Sequence, residues 1–374
     1  MNKTFNHQTG NHLEIDGAKI YYEEIPNAGK PVLIFLHGGM GDIEDFNLIV
    51  PLFAPDFHIV GIDSRGHGKS TLGAEKLTYR RLQLDAEAVI NHLQLKNVNI
   101  IGYSDGGIVA YRLALSNDIS IEKLVTIGAM CNGSAVESNI AFIADVPHET
   151  FTESIHFKRN FEFYEQYNPQ PDTTKFIDLS LQMWCDKSEN GYPSNIKNIN
   201  VPTLVISGND ELDPLETFVE TVAKIPNAIL FNIPFEGHLA WEKYPQFLVQ
   251  VTNDFLRKQE PVTYIVTENY VSEFPNPISL TAGEKATIGE ESSEQWLHWV
   301  YCTKNDNSNA GWVPKQIINY ADETIIEDYS ANEMTVKKGE VVVGLQELNG
   351  WLWARNAITG EMGWIPLENL AMKS

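Results

Sequence analysis

Residues Gly102 to Gly107 read GYSDGG, directly after the apolar run Asn97-Val98-Asn99-Ile100-Ile101 and directly before the helical run Ile108 to Leu115. This is G-x-S-x-G between a strand and a helix. The pattern has a mechanical reading. A turn this tight leaves no room for a Cβ at the flanking glycines. It holds the Ser104 hydroxyl clear of the sheet edge, and the helix behind it aims backbone N–H groups at any negative charge that develops there. Ser104 is therefore the candidate nucleophile, and the Asp105 N–H is a candidate donor to an oxyanion.

A strand–turn–helix unit of this kind needs neighbours, and the chain supplies them. From about residue 15 to 258, short β-branched apolar runs alternate with amphipathic stretches, which predicts an α/β fold with a mostly parallel sheet and helices on both faces. Val32–Leu36, Ile59–Ile62, Val98–Ile101, Leu124–Ile127 and Leu204–Ser207 read as buried strands. Tyr79–Leu93 has helical spacing, with Leu82, Ala86, Val89, Ile90 and Leu93 on one face. The rhythm breaks over about 131–198. That insertion holds Phe142, Phe151, Phe157, Phe161, Phe163, Tyr164, Tyr167, Phe176 and Trp184. It is expected to form a helical cap, with some of its rings, Trp184 among them, facing a substrate.

The partners of Ser104 are sought in the loops after other strands. His37-Gly38-Gly39-Met40-Gly41 follows VLIFL, where an HGGG-type loop supplies a second oxyanion N–H. Gly39 is the expected donor, with Met40 next, and His37, Gly38 and Met40 are expected to line the substrate site. Gly208-Asn209-Asp210-Glu211-Leu212-Asp213-Pro214 follows the strand Thr203–Ser207. A carboxylate there can accept the Nδ1–H of an imidazole and hold its tautomer. Asp210 is favoured because it lies nearer the strand end, and Asp213 is expected to cap the next helix. Gly237-His238-Leu239 follows AILFNIP and completes the chain order Ser, Asp, His.

These segments resemble the α/β-hydrolase family over about residues 10–258. Gly61-Ile62-Asp63-Ser64-Arg65-Gly66-His67-Gly68-Lys69-Ser70 is similar to its D-x-R-G-x-G-x-S turn, and GYSDGGIVAY looks like the elbow of valacyclovir-hydrolase-like esterases. The acid loop, taken at Asp210, is one residue shorter than the family's usual G-x-x-D. The resemblance implies hydrolysis of a small-molecule ester, thioester, lactone or amide through an acyl-enzyme at Ser104, Asp210 and His238. Alternatives are C–C bond hydrolysis or acyl transfer on the same fold. Serine at the elbow argues against the haloalkane-dehalogenase and epoxide-hydrolase branches, and no cofactor or metal is called for.

After about Glu260 the helical spacing ends. Two similar blocks follow, each with an acidic residue, a tyrosine, Gly-Glu, a tryptophan and Gly-Trp-(Val/Ile)-Pro, as in Glu268/Tyr270/Gly283-Glu284/Trp296/Gly311–Pro314 and Glu327/Tyr329/Gly339-Glu340/Trp351/Gly363–Pro366. They resemble SH3 domains over about 261–318 and 320–372, small all-β barrels. Trp296 and Trp351 look like the groove tryptophan, and Pro314 and Pro366 like the groove proline. The family's last groove tyrosine is missing from both. The resemblance implies either a protein partner for the pair or intramolecular packing of the barrels. A third reading would make this pair the function and the hydrolase part a scaffold.

Composition narrows the partners. Lys plus Arg is 27 against 50 Asp plus Glu, a formal charge of −23. Such a field repels nucleic-acid phosphates and anionic lipid, so neither is an expected partner, and a small molecule is. Cys131, Cys185 and Cys302 are far apart and form no CxxC pair, which indicates neither a disulfide framework nor a zinc site. With no apolar leader or spanning stretch, a cytoplasmic location is the expectation.

Overall fold

The computed structural model describes residues 3–116, 118–131, 146–257, 262–272, 274, 276–292 and 298–373. Two compact units make up the chain, Met1–Lys258 and Gln259–Ser374.

The first unit is built on an eight-stranded sheet in the order β1-β2-β4-β3-β5-β6-β7-β8. The strands are β1 (Asn11–Ile15), β2 (Ala18–Ile25), β3 (Val32–Leu36), β4 (His58–Ile62), β5 (Val98–Tyr103), β6 (Ile121–Ile127), β7 (Thr203–Asp210) and β8 (Ala228–Gly237). The β1–β2 hairpin is antiparallel and joins β4 antiparallel, and every pairing from β4 through β3 to β8 is parallel. The expected strands are all present, most of them extended by a residue or more. Their Val/Ile/Leu content follows from burial on both faces. Ile34, Val60, Ile100 and Leu124 pack into one layer, and Leu33, Phe35, Ile59, Ile101 and Val125 into the other.

The helix Tyr79–His92 begins where Thr78 accepts a hydrogen bond from the Arg81 N–H, a cap that contributes about 1 kcal/mol. It buries Leu82, Ala86, Val89 and Ile90, the face given by its spacing. The chain passes from β3 to β4 on one side and later to β5 on the other, so the strand order reverses beside β3. In open parallel sheets ligands bind at the carboxyl ends of strands beside such a reversal. The loops after β3, β5, β7 and β8 all leave that edge.

The aromatic insertion contains helices Glu149–Thr152, Lys158–Tyr167 and Thr173–Trp184. Phe161, Tyr164, Phe176, Ile177 and Leu181 form a small core with Met40 and Leu72 of the main unit, and Phe151, Phe157 and Trp184 pack against it. Most of these rings therefore build the cap itself. Phe142 lies outside the described residues. The cap is pinned to the loop after β3. The Arg159 guanidinium meets Asp42 at 2.5 Å and Glu44 at 2.5 Å, and Asn160 Nδ2 donates to Asp42 and Asp45. Burial, with Asp42 alongside, pushes the Asp45 carboxyl upward.

The second unit is all β. Its strands are β9 (Thr263–Val266), β10 (Ser279–Leu280), β11 (Ala286–Glu291), β12 (Trp299–Lys304), β13 (Ala310–Pro314), β14 (Ile318–Asn319), β15 (Thr324–Ile325), β16 (Tyr329–Ser330), β17 (Val341–Leu348), β18 (Trp351–Asn356), β19 (Met362–Pro366) and β20 (Leu370–Met372). The pairing crosses the repeat. Strand β9, at the start of the first block, pairs with β17 and β20 of the second. Strand β16, in the second block, pairs with β10 of the first. The two hydrophobic cores follow the same exchange, Tyr264 and Val266 packing with Met334, Val336, Val342 and Leu352. Trp296 lies outside the described residues. It is Trp299 that pairs with Pro314 as Trp351 pairs with Pro366, so Trp299 is the structural counterpart of Trp351.

Candidate active site

The elbow after β5 is as tight as its glycines require. A Cβ on Gly102 would stand 2.4 Å from the Gly106 carbonyl oxygen, one on Gly106 2.0 Å from that of Leu36, and one on Gly107 2.3 Å from the Ala129 Cβ. Ser104 takes φ 50° and ψ −119° at the start of the helix Asp105–Leu115. This is a costly conformation for a residue with a side chain, held by its surroundings. The Ser104 N–H donates to the Ile127 carbonyl at 2.8 Å, so it is already spent. The Asp105 N–H, in the first turn of the helix, has no acceptor within it.

His238 and Ser104 meet across 134 residues of chain, with Nε2 3.0 Å from Oγ. The ring packs on Tyr103, whose own ring meets Trp241 edge-on. Gly128, at φ 57°, makes room for it, since a Cβ there would lie 2.8 Å from His238 Nδ1.

The carboxylate on the other side of the ring is Glu211, which corrects the expectation for Asp210. Glu211 Oε2 lies 2.7 Å from His238 Nδ1, and its Oε1 accepts the Gly208 N–H at 2.9 Å. Asp210 is still on β7, paired with Gly237, and among the described residues its exposed side chain accepts only from Asn209, at 3.3 Å. The signal for Glu211 was in the spacing. Gly208-Asn209-Asp210-Glu211 places a carboxylate three residues after the glycine, as G-x-x-D does, with Glu for Asp. Asp213 caps no helix: the next one runs Leu215–Lys224 behind Pro214, without a side-chain cap. Burial and the neighbouring Glu211 push the Asp213 carboxyl up to about 6.

The loop after β3 lies against the nucleophile. A Cβ on Gly38 would come within 3.2 Å of the Ser104 Cβ, and one on Gly39 within 2.5 Å of Asp105 Oδ2 and 2.8 Å of the Trp184 ring. Met40, at φ 60°, is buried in the cap cluster. His37 is committed to the backbone. Its Nε2 accepts the Ser64 N–H at 2.9 Å, so its Nδ1 donates to the Gly38 carbonyl at 2.7 Å. It ties the loops after β3 and β4 together and has no free ring nitrogen to offer.

Trp184 reaches the site through Asp105. Its Nε1 donates to Asp105 Oδ2 at 2.8 Å, and the Tyr79 hydroxyl donates to Oδ1 at 2.7 Å. Burial raises the Asp105 carboxyl pKa against these bonds. Arg65 forks onto Asp85 at 2.7 and 2.8 Å. The turn around Asp63 is structural: Asp63 accepts from the N–H groups of Ile43 and Lys69.

Known proteins share both parts of this architecture. Residues 31–177 match the model of the alpha/beta hydrolase fold. Residues 263–320 and 324–372 each match the variant SH3 domain. A putative esterase/lipase of Haemophilus influenzae is 26% identical over 281 residues, covering 67% of this chain and 93% of that protein. A 2-hydroxy-6-oxononadienedioate/2-hydroxy-6-oxononatrienedioate hydrolase of Cupriavidus pinatubonensis is 26% identical over 256 residues, covering 61% of this chain and 88% of that protein. Among solved structures, a hydrolase from Pseudomonas aeruginosa PA01 superposes with a TM-score of 0.56 at 22% identity, covering 68% of this chain and all of that one. The N-terminal unit is that of an α/β-hydrolase-fold enzyme, and two variant SH3 blocks follow it.

Proposed function

We propose that this enzyme cleaves small-molecule carboxylic esters or related acyl compounds through an acyl-enzyme on Ser104. The observation that carries the reading is the continuous chain Glu211–His238–Ser104 at the elbow, with bonds of 2.7 and 3.0 Å. Glu211 accepts the Nδ1–H, which leaves the Nε2 lone pair facing the Ser104 hydroxyl. As Oγ attacks the acyl carbon, Nε2 takes its proton and later returns it to the leaving group. The N–H groups of Gly39 and Asp105 hold the oxyanion. Water then repeats the sequence on the acyl-enzyme.

The elbow's likeness to valacyclovir-hydrolase-like esterases supports a finer reading, in which the acyl group carries an amine. The Asp105 carboxylate, one residue from the nucleophile, accepts from two neutral donors and forms no ion pair among the described residues. A desolvated carboxylate of this kind favours a cation. One experiment tests both levels, hydrolysis of two p-nitrophenyl esters that differ only in an α-amine. Ser104→Ala is expected to lower kcat on both by a factor of about 10⁴ or more with the fold intact; near-normal turnover would contradict the serine mechanism. The aminated ester is expected to be preferred by wild type and the preference lost in Asp105→Asn. A preference that is absent, or that survives in Asp105→Asn, leaves Asp105 as a purely structural acceptor for Trp184 and Tyr79.

Similarity to the Cupriavidus enzyme supports a second reading, hydrolysis of a C–C bond by the same residues. Product analysis separates the two readings, because ester cleavage releases an alcohol and C–C cleavage does not.

A further inference from the structure

Where the two barrels exchange strands they enclose a cleft of about 240 Å³. Seven aromatic rings line it: Phe274, Trp299, Tyr301 and Trp312 from the first block, and Tyr329, Trp351 and Trp364 from the second. Tyr301 and Trp312 meet edge to face with centroids 5.4 Å apart, and each keeps about two-fifths of its surface exposed. Among the described residues, Glu333 is the one charged residue in the lining. The unit around the cleft is acidic, with 17 Asp and Glu against seven Lys and Arg over residues 259–374.

We propose that this cleft binds a quaternary ammonium group carried on a small ligand. Aromatic faces attract cations, and more strongly where water is excluded. A carboxylate and a net acidic surround add to the attraction. The kind of cation follows from the hydrogen bonds. A primary ammonium brings three N–H donors. Among its described residues the cleft offers them one carboxylate, and one oxygen of that carboxylate already accepts the Tyr270 hydroxyl at 2.6 Å. Buried donors without acceptors are costly. A quaternary ammonium has no N–H, so rings alone can enclose it. The Trp364 N–H is spent on the Ser330 carbonyl at 2.8 Å, and the Trp299 indole nitrogen is buried. The cavity is below the usual range of about 300–1,000 Å³ for drug-sized ligands, which fits a single head group. The inference rests on the cleft and is independent of the chemistry at Ser104.

The test uses the full chain and three small probes, followed by tryptophan fluorescence and calorimetry. Choline supplies the quaternary ammonium and a hydroxyl. 3,3-Dimethylbutan-1-ol has the same shape with carbon in place of N⁺. Ethanolamine keeps the charge as a primary ammonium. Choline is expected to saturate a single site and to bind at least tenfold more tightly than either control. Trp312→Ala and Glu333→Gln are expected to weaken it at least fivefold while circular dichroism and ester hydrolysis stay unchanged. Trp312 is partly exposed, so its loss leaves the barrel core in place. Equal binding of the neutral alcohol would reduce the cleft to an apolar groove, and tighter binding of ethanolamine would make it a point-charge site. Either result, full affinity in both variants, or no saturation by choline would overturn the proposal.

Discussion

At the residue scale, one carboxylate separates what the sequence made legible from what it did not. Ser104 and His238 could be read because glycine marks both turns and the chain order fixes the roles. The acid was harder, since Asp210, Glu211 and Asp213 lie within four residues of each other. Strand β7 decides among them. It continues through Asp210, whose side chain is turned to solvent. The residue after it carries one more methylene and reaches the imidazole. Nearness to the strand end was therefore the wrong criterion, and counting from Gly208 was the right one. Glu211→Gln is expected to lower kcat/KM by about 10³–10⁴, because a lost tautomer costs about that much in a triad of this kind. Asp210→Asn is expected to change it less than threefold. Steady-state kinetics on an activated ester checks the ranking, and the reverse order would return the role to Asp210. Asp105's partners were not legible either, because Trp184 lies 79 residues away in a cap whose placement no local pattern gives.

At the scale of elements, spacing gave the strands and the long helix of the first unit, and the loops owe their positions to buried ion pairs. The N-terminal segment is an example. His7 is 1% exposed, with Nδ1 2.8 Å from Glu44 and Nε2 2.8 Å from Asp63. Burial opposes the charged ring, but the two carboxylates outweigh it and raise the His7 pKa to about 10. The same pairs lower the pKa of Glu44 and Asp63 against their own burial. A histidine whose pKa is raised on folding contributes stability that is complete below its unfolded value of about 6.5 and is lost as pH rises through the folded one. Wild type is expected to lose melting temperature between pH 7 and 10, and His7→Gln to start lower and lose less over that range. Parallel curves from differential scanning fluorimetry would show that His7 is neutral in the folded protein.

At the scale of the whole molecule, the repeat announced two barrels but not the exchange of strands between them. Each block carries a complete set of landmarks, and nothing local tells β9 which sheet to enter. The exchange has a consequence for where the chain can be cut. A chain ending at Lys258 retains the whole eight-stranded sheet and is expected to fold and keep ester hydrolysis within about threefold. A chain ending at Tyr320 leaves β9 without β17 and β20, and is expected to expose that block to proteolysis. Protection of the block in the longer truncate would mean that β9 can close its own barrel. The chemistry itself is tested most directly by intact mass after treatment of the full chain with a fluorophosphonate. A serine activated by His238 and Glu211 predicts one phosphonyl group per chain, mapped by peptide sequencing to Ser104 and absent from Ser104→Ala. No adduct, or an adduct on another serine, would contradict the account.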